Sequence, residues 1–371
     1  MAERIPVAVL AATGAVGQRF VSLLANHPWF EVVAVTASDR TAGRRYVEAV
    51  NWVVPGDIPE SIADLIVQPS DDAGALSAEV LIAFSALPSD VARSIETALA
   101  ARGYVVCSNA SALRMDPDVP LLIPEINADH LLLVEAQREQ RGWPGLVVAS
   151  PNCSTTGIVF PLKALHDAFG LRRVHAVTMQ AISGAGYPGV ASFDILDNII
   201  PFLNGEEDKV ENEPRKLLGT LEGGAIRLAG FTVSAQTHRV PVMDGHLAAV
   251  SVELDRPASL ADVQAALAEF AVPEAARALP SAPPRPLILR PERDRPQTRR
   301  DRDAGNGMAV TVGRVQPCPV LGFKFVSLVH NTLRGAAGGA ILNAELVVAS
   351  GYLGDALPLV GVEGGRAGAA T

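Results

Sequence analysis

Cys153 stands in the string Ser150-Pro151-Asn152-Cys153-Ser154-Thr155-Thr156-Gly157, directly after the apolar run Leu146–Ala149 and just ahead of a helical pattern over Ile158–Phe169. A thiol near a helix N-terminus meets free N–H groups and the positive end of the helix dipole. Both lower its pKa and favour the thiolate. The same N–H groups can receive an oxyanion on an attacked carbonyl. Polar neighbours on both sides argue for a nucleophile over a buried structural cysteine. Cys107 lies in an apolar run and Cys318 between two prolines, and both read as structural. A nucleophilic cysteine needs an acid/base partner, usually histidine. The chain has seven histidines, and spacing alone does not choose among them.

A second chemical signal lies at the N-terminus, in Ala11-Ala12-Thr13-Gly14-Ala15-Val16-Gly17. The turn follows a short apolar run and opens a helical pattern, the setting that receives a dinucleotide pyrophosphate. The usual first glycine of such a turn is Ala11 here. Thr13, Gly14, Ala15, Val16 and Gly17 are the expected cofactor contacts. Asp39 stands where an acid would grip a ribose 2′-hydroxyl, but Ser38 and Arg40 flank it. Those two fit a 2′-phosphate through charge-assisted hydrogen bonds. NADP is therefore preferred over NAD.

These groups need a scaffold. Apolar runs at Ile5–Leu10, Val32–Thr36, Val80–Phe84 and Val105–Cys107 alternate with helical patterns such as Gln18–Asn26 and Asp90–Ala101. That alternation predicts βαβ units and a parallel sheet covered on both faces. Beyond Pro151 longer strand patterns appear, at Leu171–Ala181, Phe231–Val240, Leu247–Leu254, Met308–Val315 and Phe323–Val329. Helices are predicted over Ala191–Leu203, Glu211–Leu218 and Leu260–Phe270. The Pro/Arg-rich stretch 271–307 reads as a long exposed loop or an excursion over a site rim or neighbouring subunit. The fold class is α/β: a Rossmann-like doubly wound domain over 1–150, then an α+β catalytic and dimerisation domain over 151–334 with a mixed sheet. A helix at about 335–356 returns to the first domain, and 357–371 forms a flexible tail.

Four separated strings resemble the aspartate-semialdehyde dehydrogenase family, most closely its archaeal and fungal branch. They are Ser150–Thr156, Gly205-Glu206-Glu207-Asp208-Lys209, Thr237–His246 and Asn331–Gly338, in family order. The resemblance runs from the glycine turn to about residue 350. It implies Cys153 as nucleophile, His246 as general acid/base and Gln180 as the residue that orients the intermediate. It implies Arg239 on a substrate carboxylate, Glu206 on its ammonium, and Lys209, Arg114 and Asn152 on phosphate. Ser183, Gly184 and Asn331 are implied on the nicotinamide side, with Ser85 and Asn109 as further cofactor contacts. An amino-acid acyl phosphate presents those three charges, and a bidentate Arg, a carboxylate and a cationic cluster would recognise them. The implied reaction is reduction of an aspartyl phosphate to a semialdehyde, serving lysine, threonine and methionine synthesis. The implied assembly is a homodimer or homotetramer.

Composition agrees with a small-molecule enzyme. The 371 residues are 49% hydrophobic and carry a net charge of −9. That excludes a wholly disordered chain and a global basic footprint for nucleic acid. Three cysteines make neither a disulfide framework nor a zinc pattern, so no metal is expected. The N-terminus does not read as a signal peptide, and the apolar runs are strand-sized, which points to a cytoplasmic protein without a membrane span. Competing readings are a reductase of another acyl donor, such as malonyl-CoA or an N-acyl-glutamyl phosphate, a Cys–His acyl hydrolase or acyltransferase, and a non-catalytic dinucleotide-binding regulator.

Overall fold

The computed structural model describes residues 4–70 and 76–353. The predicted tail over 357–371 lies outside them. Six strands form the first sheet: β1 (Ile5–Leu10), β2 (Phe30–Ala37), β3 (Val67–Pro69), β4 (Ile82–Ser85), β5 (Val105–Ser108) and β6 (Leu146–Ala149). All pair in parallel, in the order β3-β2-β1-β4-β5-β6. The strand order reverses beside β1, so the crevice between the ends of β1 and β4 is the switch point where open α/β sheets bind ligands. Strands β4, β5 and β6 are buried throughout, as a sheet covered on both faces requires.

A small hairpin, β8 (Thr220–Glu222) with β9 (Ala225–Arg227), stands apart from the second large sheet. That sheet contains β7 (Leu171–Gln180), β10 (Thr232–Arg239), β11 (His246–Leu254), β12 (Leu287–Arg290), β13 (Val310–Cys318) and β14 (Gly322–Val329), in the order β10-β7-β11-β14-β13-β12. It is mixed. β10 joins β7 and β12 joins β13 in parallel, while β7, β11, β14 and β13 pair antiparallel. Burial alternates along β7 and β10. The inward set packs on helix Cys153–Phe169, which buries Ile158, Val159, Phe160 and Leu162.

Four readings need correction or extension. The predicted helix over Ala191–Leu203 is a single turn, Ser192–Ile195. Asp197 then takes a left-handed φ of +56°, and Ile200 bridges to Arg239 instead. Phe193, Leu196, Ile199 and Phe202 have helical spacing but stay exposed, so no buried face sustains a helix there. The helix predicted from Glu211 begins earlier and spans Glu206–Leu217. The stretch 271–307 is not a plain exposed loop. It holds β12, the turns Glu274–Arg277 and Thr298–Asp301, and a fully buried carboxylate, Asp301, that takes Arg295 and Arg290. The C-terminal helix spans Gly338–Ala349, preceded by an irregular turn over Leu333–Ala337, and packs on β4, β5 and helix Ala15–Leu24.

Candidate active site

β6 ends where Ser150-Pro151-Asn152 lead into helix Cys153–Phe169, and Asn152 caps that helix. Its Oδ1 accepts from the backbone N–H groups of Ser154 (2.9 Å) and Thr155 (3.2 Å). Its own N–H donates to Glu213 Oε2 at 2.6 Å. Cys153 is thus the first helical residue, half-buried in a cleft of about 370 Å³. Gly335 closes the wall beside it. A Cβ on Gly335 would lie 2.8 Å from Cys153 Cβ.

His246 opens β11 and Arg239 ends β10. His246 Nδ1 accepts the Ala181 N–H at 3.0 Å, which places the neutral ring's proton on Nε2. Nε2 has no partner. A Cβ on Gly184 would lie 2.7 Å from Arg239 Nη1 and 3.0 Å from His246 Nε2, so the two heads converge there. Asn331 fixes this corner. Its Oδ1 accepts the Gly245 N–H and its Nδ2 donates to Ser183 Oγ, each at 2.8 Å. Gly245 takes φ +100°, a conformation glycine adopts freely.

Across the cleft, Lys209 Nζ donates to Glu206 Oε1 at 2.7 Å. Asn152 Nδ2 (2.8 Å) and Gln180 Nε2 (3.3 Å) donate to Glu206 Oε2. Burial raises the Glu206 pKa, but Lys209, Asn152 and Gln180 outweigh it and hold the carboxyl below its usual range. Arg114 is buried. Its Nη1 donates to Glu213 Oε1 at 3.0 Å and its Nη2 to the Asn109 carbonyl at 2.7 Å. Arg239 differs from Arg114. It is buried, donates Nη1 to the Ala181 carbonyl at 2.8 Å, and pairs with no carboxylate among the described residues.

The thiol expectation is corrected. Burial, then the Glu206 charge, push Cys153 up to about 12. Arg114, the Ser154 N–H at the helix start and Arg239 act the other way and lose. His246 is driven down to about 3 by burial and by Arg239, so it stays neutral. The ligand-free pair is thiol and neutral imidazole. Asn152 is also corrected in part: it lines the cleft, but its side chain is committed to the helix cap and to Glu206.

On the dinucleotide side, Gly17 packs so closely on the turn that a Cβ would lie 2.3 Å from the Ala11 carbonyl oxygen. Gly14 precedes the helix Ala15–Leu24, and Val16 and Asn109 reach the cleft. Thr13 is half-buried in the turn, with its carbonyl accepting from Gln18. Ser38 and Arg40 follow β2 and are exposed. Ser85 does not face the cleft with its side chain: it is fully buried and its hydroxyl donates to Glu96 at 2.7 Å. Sequence reasoning missed Glu213 and Gly335. Glu213 repeats the helical face of Glu206 and Lys209, a periodicity that was available to find it. No group of three or more His, Cys, Asp or Glu among the described residues could hold a metal, and no helix there is long and apolar enough to cross a membrane.

The family described as "Semialdehyde dehydrogenase, NAD binding domain" matches residues 6–134, and "Semialdehyde dehydrogenase, dimerisation domain" matches residues 162–334. The aspartate-semialdehyde dehydrogenase of Archaeoglobus fulgidus is 51% identical over 93% of this chain and 98% of its own. That of Cryptococcus neoformans is 46% identical over 94% and 98%. The crystal structure of the Candida albicans aspartate semialdehyde dehydrogenase with NADP superposes with a TM-score of 0.86 at 41% identity, covering 94% of this chain and 100% of that one. With this architecture, these cleft residues and identity along nearly the whole length, the chain belongs to the aspartate-semialdehyde dehydrogenase family.

Proposed function

We propose that the chain reduces L-aspartyl-4-phosphate to L-aspartate 4-semialdehyde with NADPH, reversibly, through a thioester on Cys153. The observation that carries this reading is the buried Arg239, without a carboxylate partner among the described residues, in one cleft with Cys153 and the Glu206–Lys209 pair. A fork without a carboxylate partner is suited to bind one bidentately. Glu206 meets the substrate ammonium, and Lys209 with Arg114 meets the phosphate. The Cys153 sulfur attacks the acyl carbon, the thiol proton leaves with the departing phosphate, and a thioester remains. The Cys153 backbone N–H at the helix start holds the oxyanion, since the Asn152 cap takes those of Ser154 and Thr155. Gln180 orients the acyl group beside Glu206. His246 holds its proton on Nε2, as a general acid for the oxygen that becomes the aldehyde carbonyl when the thiolate leaves.

NADP fits the residues present. Gly17 lets the helix start pack against the Ala11–Ala12 backbone, and among the described residues Asn109 Nδ2 is buried without a partner and Arg40 forms no ion pair. Gly14, Ala15 and Val16 would hold the pyrophosphate at the helix start, with Ser38 and Arg40 on the 2′-phosphate. Ser183, Gly184 and Asn331 would wall the nicotinamide, which when bound supplies hydride. The domain division at 150 and 334 separates the cofactor and catalytic parts. The enzyme works as a homodimer or dimer-based tetramer in the cytoplasm, where its three free thiols stay reduced.

The test is phosphate-dependent reduction of NADP with aspartate β-semialdehyde, with NAD, a phosphate-free control and Cys153→Ser in parallel. Signal that needs phosphate, NADP and Cys153 is expected. Full activity in Cys153→Ser, or independence from phosphate, would overturn the reading.

A further inference from the structure

We propose that Arg334 and Glu125 are positioning residues: their buried pair seats the turn Leu333–Ala337 against Cys153 and so sets where the sulfur stands in the cleft. Arg334 is 2% exposed. Its two terminal nitrogens donate to the two oxygens of Glu125 at 2.8 and 2.6 Å. The guanidinium lies over the Phe160 ring, 4.9 Å from its centroid. Phe160 belongs to the helix that Cys153 opens, and Glu125 to the short turn Pro124–Asn127. One side chain is therefore clamped to the catalytic helix by its face and to the N-terminal half of the chain by its edge.

The residue that follows Arg334 touches the nucleophile. Gly335 has room for no Cβ, because one would lie 2.8 Å from Cys153 Cβ and 3.1 Å from its Cα. Gly335 and Ala336 line the cleft together with Thr332 and Asn331. A small movement of Arg334 is thus passed through one peptide to the thiol-bearing residue and to the cleft wall.

The pair acts by place and not by charge. Its two charges cancel locally, and the guanidiniums that bear on the Cys153 thiol are those of Arg114 and Arg239. Nor is a buried ion pair a strong source of stability, since apolar groups of similar volume often replace one without loss. What the fork adds over such groups is a fixed orientation. A role in orientation accounts for a bidentate pair at this depth.

The inference rests on the reading of Cys153 as nucleophile, and the experiment separates the two. Thermal midpoint, kcat, KM for the semialdehyde and the rate of Cys153 alkylation by iodoacetamide are measured for Arg334→Lys and for the apolar double variant Glu125→Leu with Arg334→Met. Cys153→Ala runs alongside. The double variant is expected to melt near the native chain while kcat falls about ten- to a hundredfold. KM stays close to native and the alkylation rate shifts, with Arg334→Lys between. Gly335→Ala, which leaves the pair intact and drives a methyl at Cys153, is expected to lower kcat and shift alkylation in the same way. A double variant that folds with native kcat overturns the proposal. If it does not fold, native kcat and alkylation in Gly335→Ala or Arg334→Lys overturn it. Activity retained in Cys153→Ala removes the underlying nucleophile reading instead.

Discussion

The two groups meant to exchange a proton are both neutral in the ligand-free site. Helix starts lower thiol pKa values when they face water, but the Cys153 sulfur is desolvated against the cleft wall with a carboxylate opposite. Desolvation of a thiolate there exceeds what a few N–H dipoles return. The rate of iodoacetamide alkylation of Cys153 should therefore climb about tenfold per pH unit, without a plateau, up to about pH 10. Glu206 is the second cause of the raised value, so Glu206→Gln should speed alkylation several-fold at pH 8. A plateau below pH 8 in the native chain would show that the helix dipole wins after all. At this scale the sequence revealed identities better than states. Cys153, Arg239, Glu206 and Lys209 were named through short strings, each contiguous in the chain, and Gln180 through the resemblance those strings carry; the structure brings all five to one cleft. The ionisation of Cys153 depends on what encloses it, and enclosure arises from segments far apart in sequence.

Elements whose burial follows a simple period were legible, and those held by scattered polar contacts were not. The parallel strands were visible as continuous apolar runs, and the antiparallel ones as alternation. The stretch 271–307 looked like a loop because its prolines and arginines carry no period. Its order comes instead from one buried acid. Asp301 accepts from Arg295 Nε (2.7 Å) and from the Gln297 N–H (2.7 Å), and pairs with Arg290 at 3.3 Å. The neighbouring Arg302 donates to the Asp244 carbonyl, at the turn that presents His246. Asp301→Asn should cost about 3 kcal/mol of stability, the scale of breaking a buried pair, measured by chemical denaturation. Burial raises the Asp301 pKa, but Arg295 and the Gln297 N–H outweigh it and the net shift is downward. Its contribution is therefore complete above the ordinary aspartate range and is lost as pH falls through the lowered folded value. The native chain and the variant should converge in strong acid. An unchanged difference at pH 2 would mean that the aspartate charge is not what orders the segment. The spurious helix over Ala191–Leu203 failed for the opposite reason: its apolar residues had the period but no surface to bury against.

At the scale of the molecule, the described residues cover the mixed sheet on one face only. Helix Cys153–Phe169 packs on the side of Ala176, Ala248 and Val250. On the other side, Val177 stands directly opposite Ala249, and Ala249 directly opposite Val326, so an apolar row crosses three adjacent central strands. Ala249 is exposed, and His175 and Lys324 flank the row in a shallow cleft of about 240 Å³. A bare apolar row on a wide sheet is the face a second copy would bury, with each patch meeting its own twin. The same strands carry the chemistry at their ends. β10 terminates in Arg239 and β11 begins with His246. Ala249→Glu puts a charge into the centre of that face, and into both halves of a two-fold interface at once. Sedimentation should then report a particle of 38.8 kDa for the variant and twice that, or a multiple of it, for the native chain. Because the substitution lies on the outer face, away from the Cys153 helix, the fold should persist by circular dichroism. A loss of activity in that folded monomer would mean that pairing of the sheets stiffens the strand ends that hold Arg239 and His246. A native chain that sediments at 38.8 kDa would instead mean that one face of this sheet is built to meet solvent.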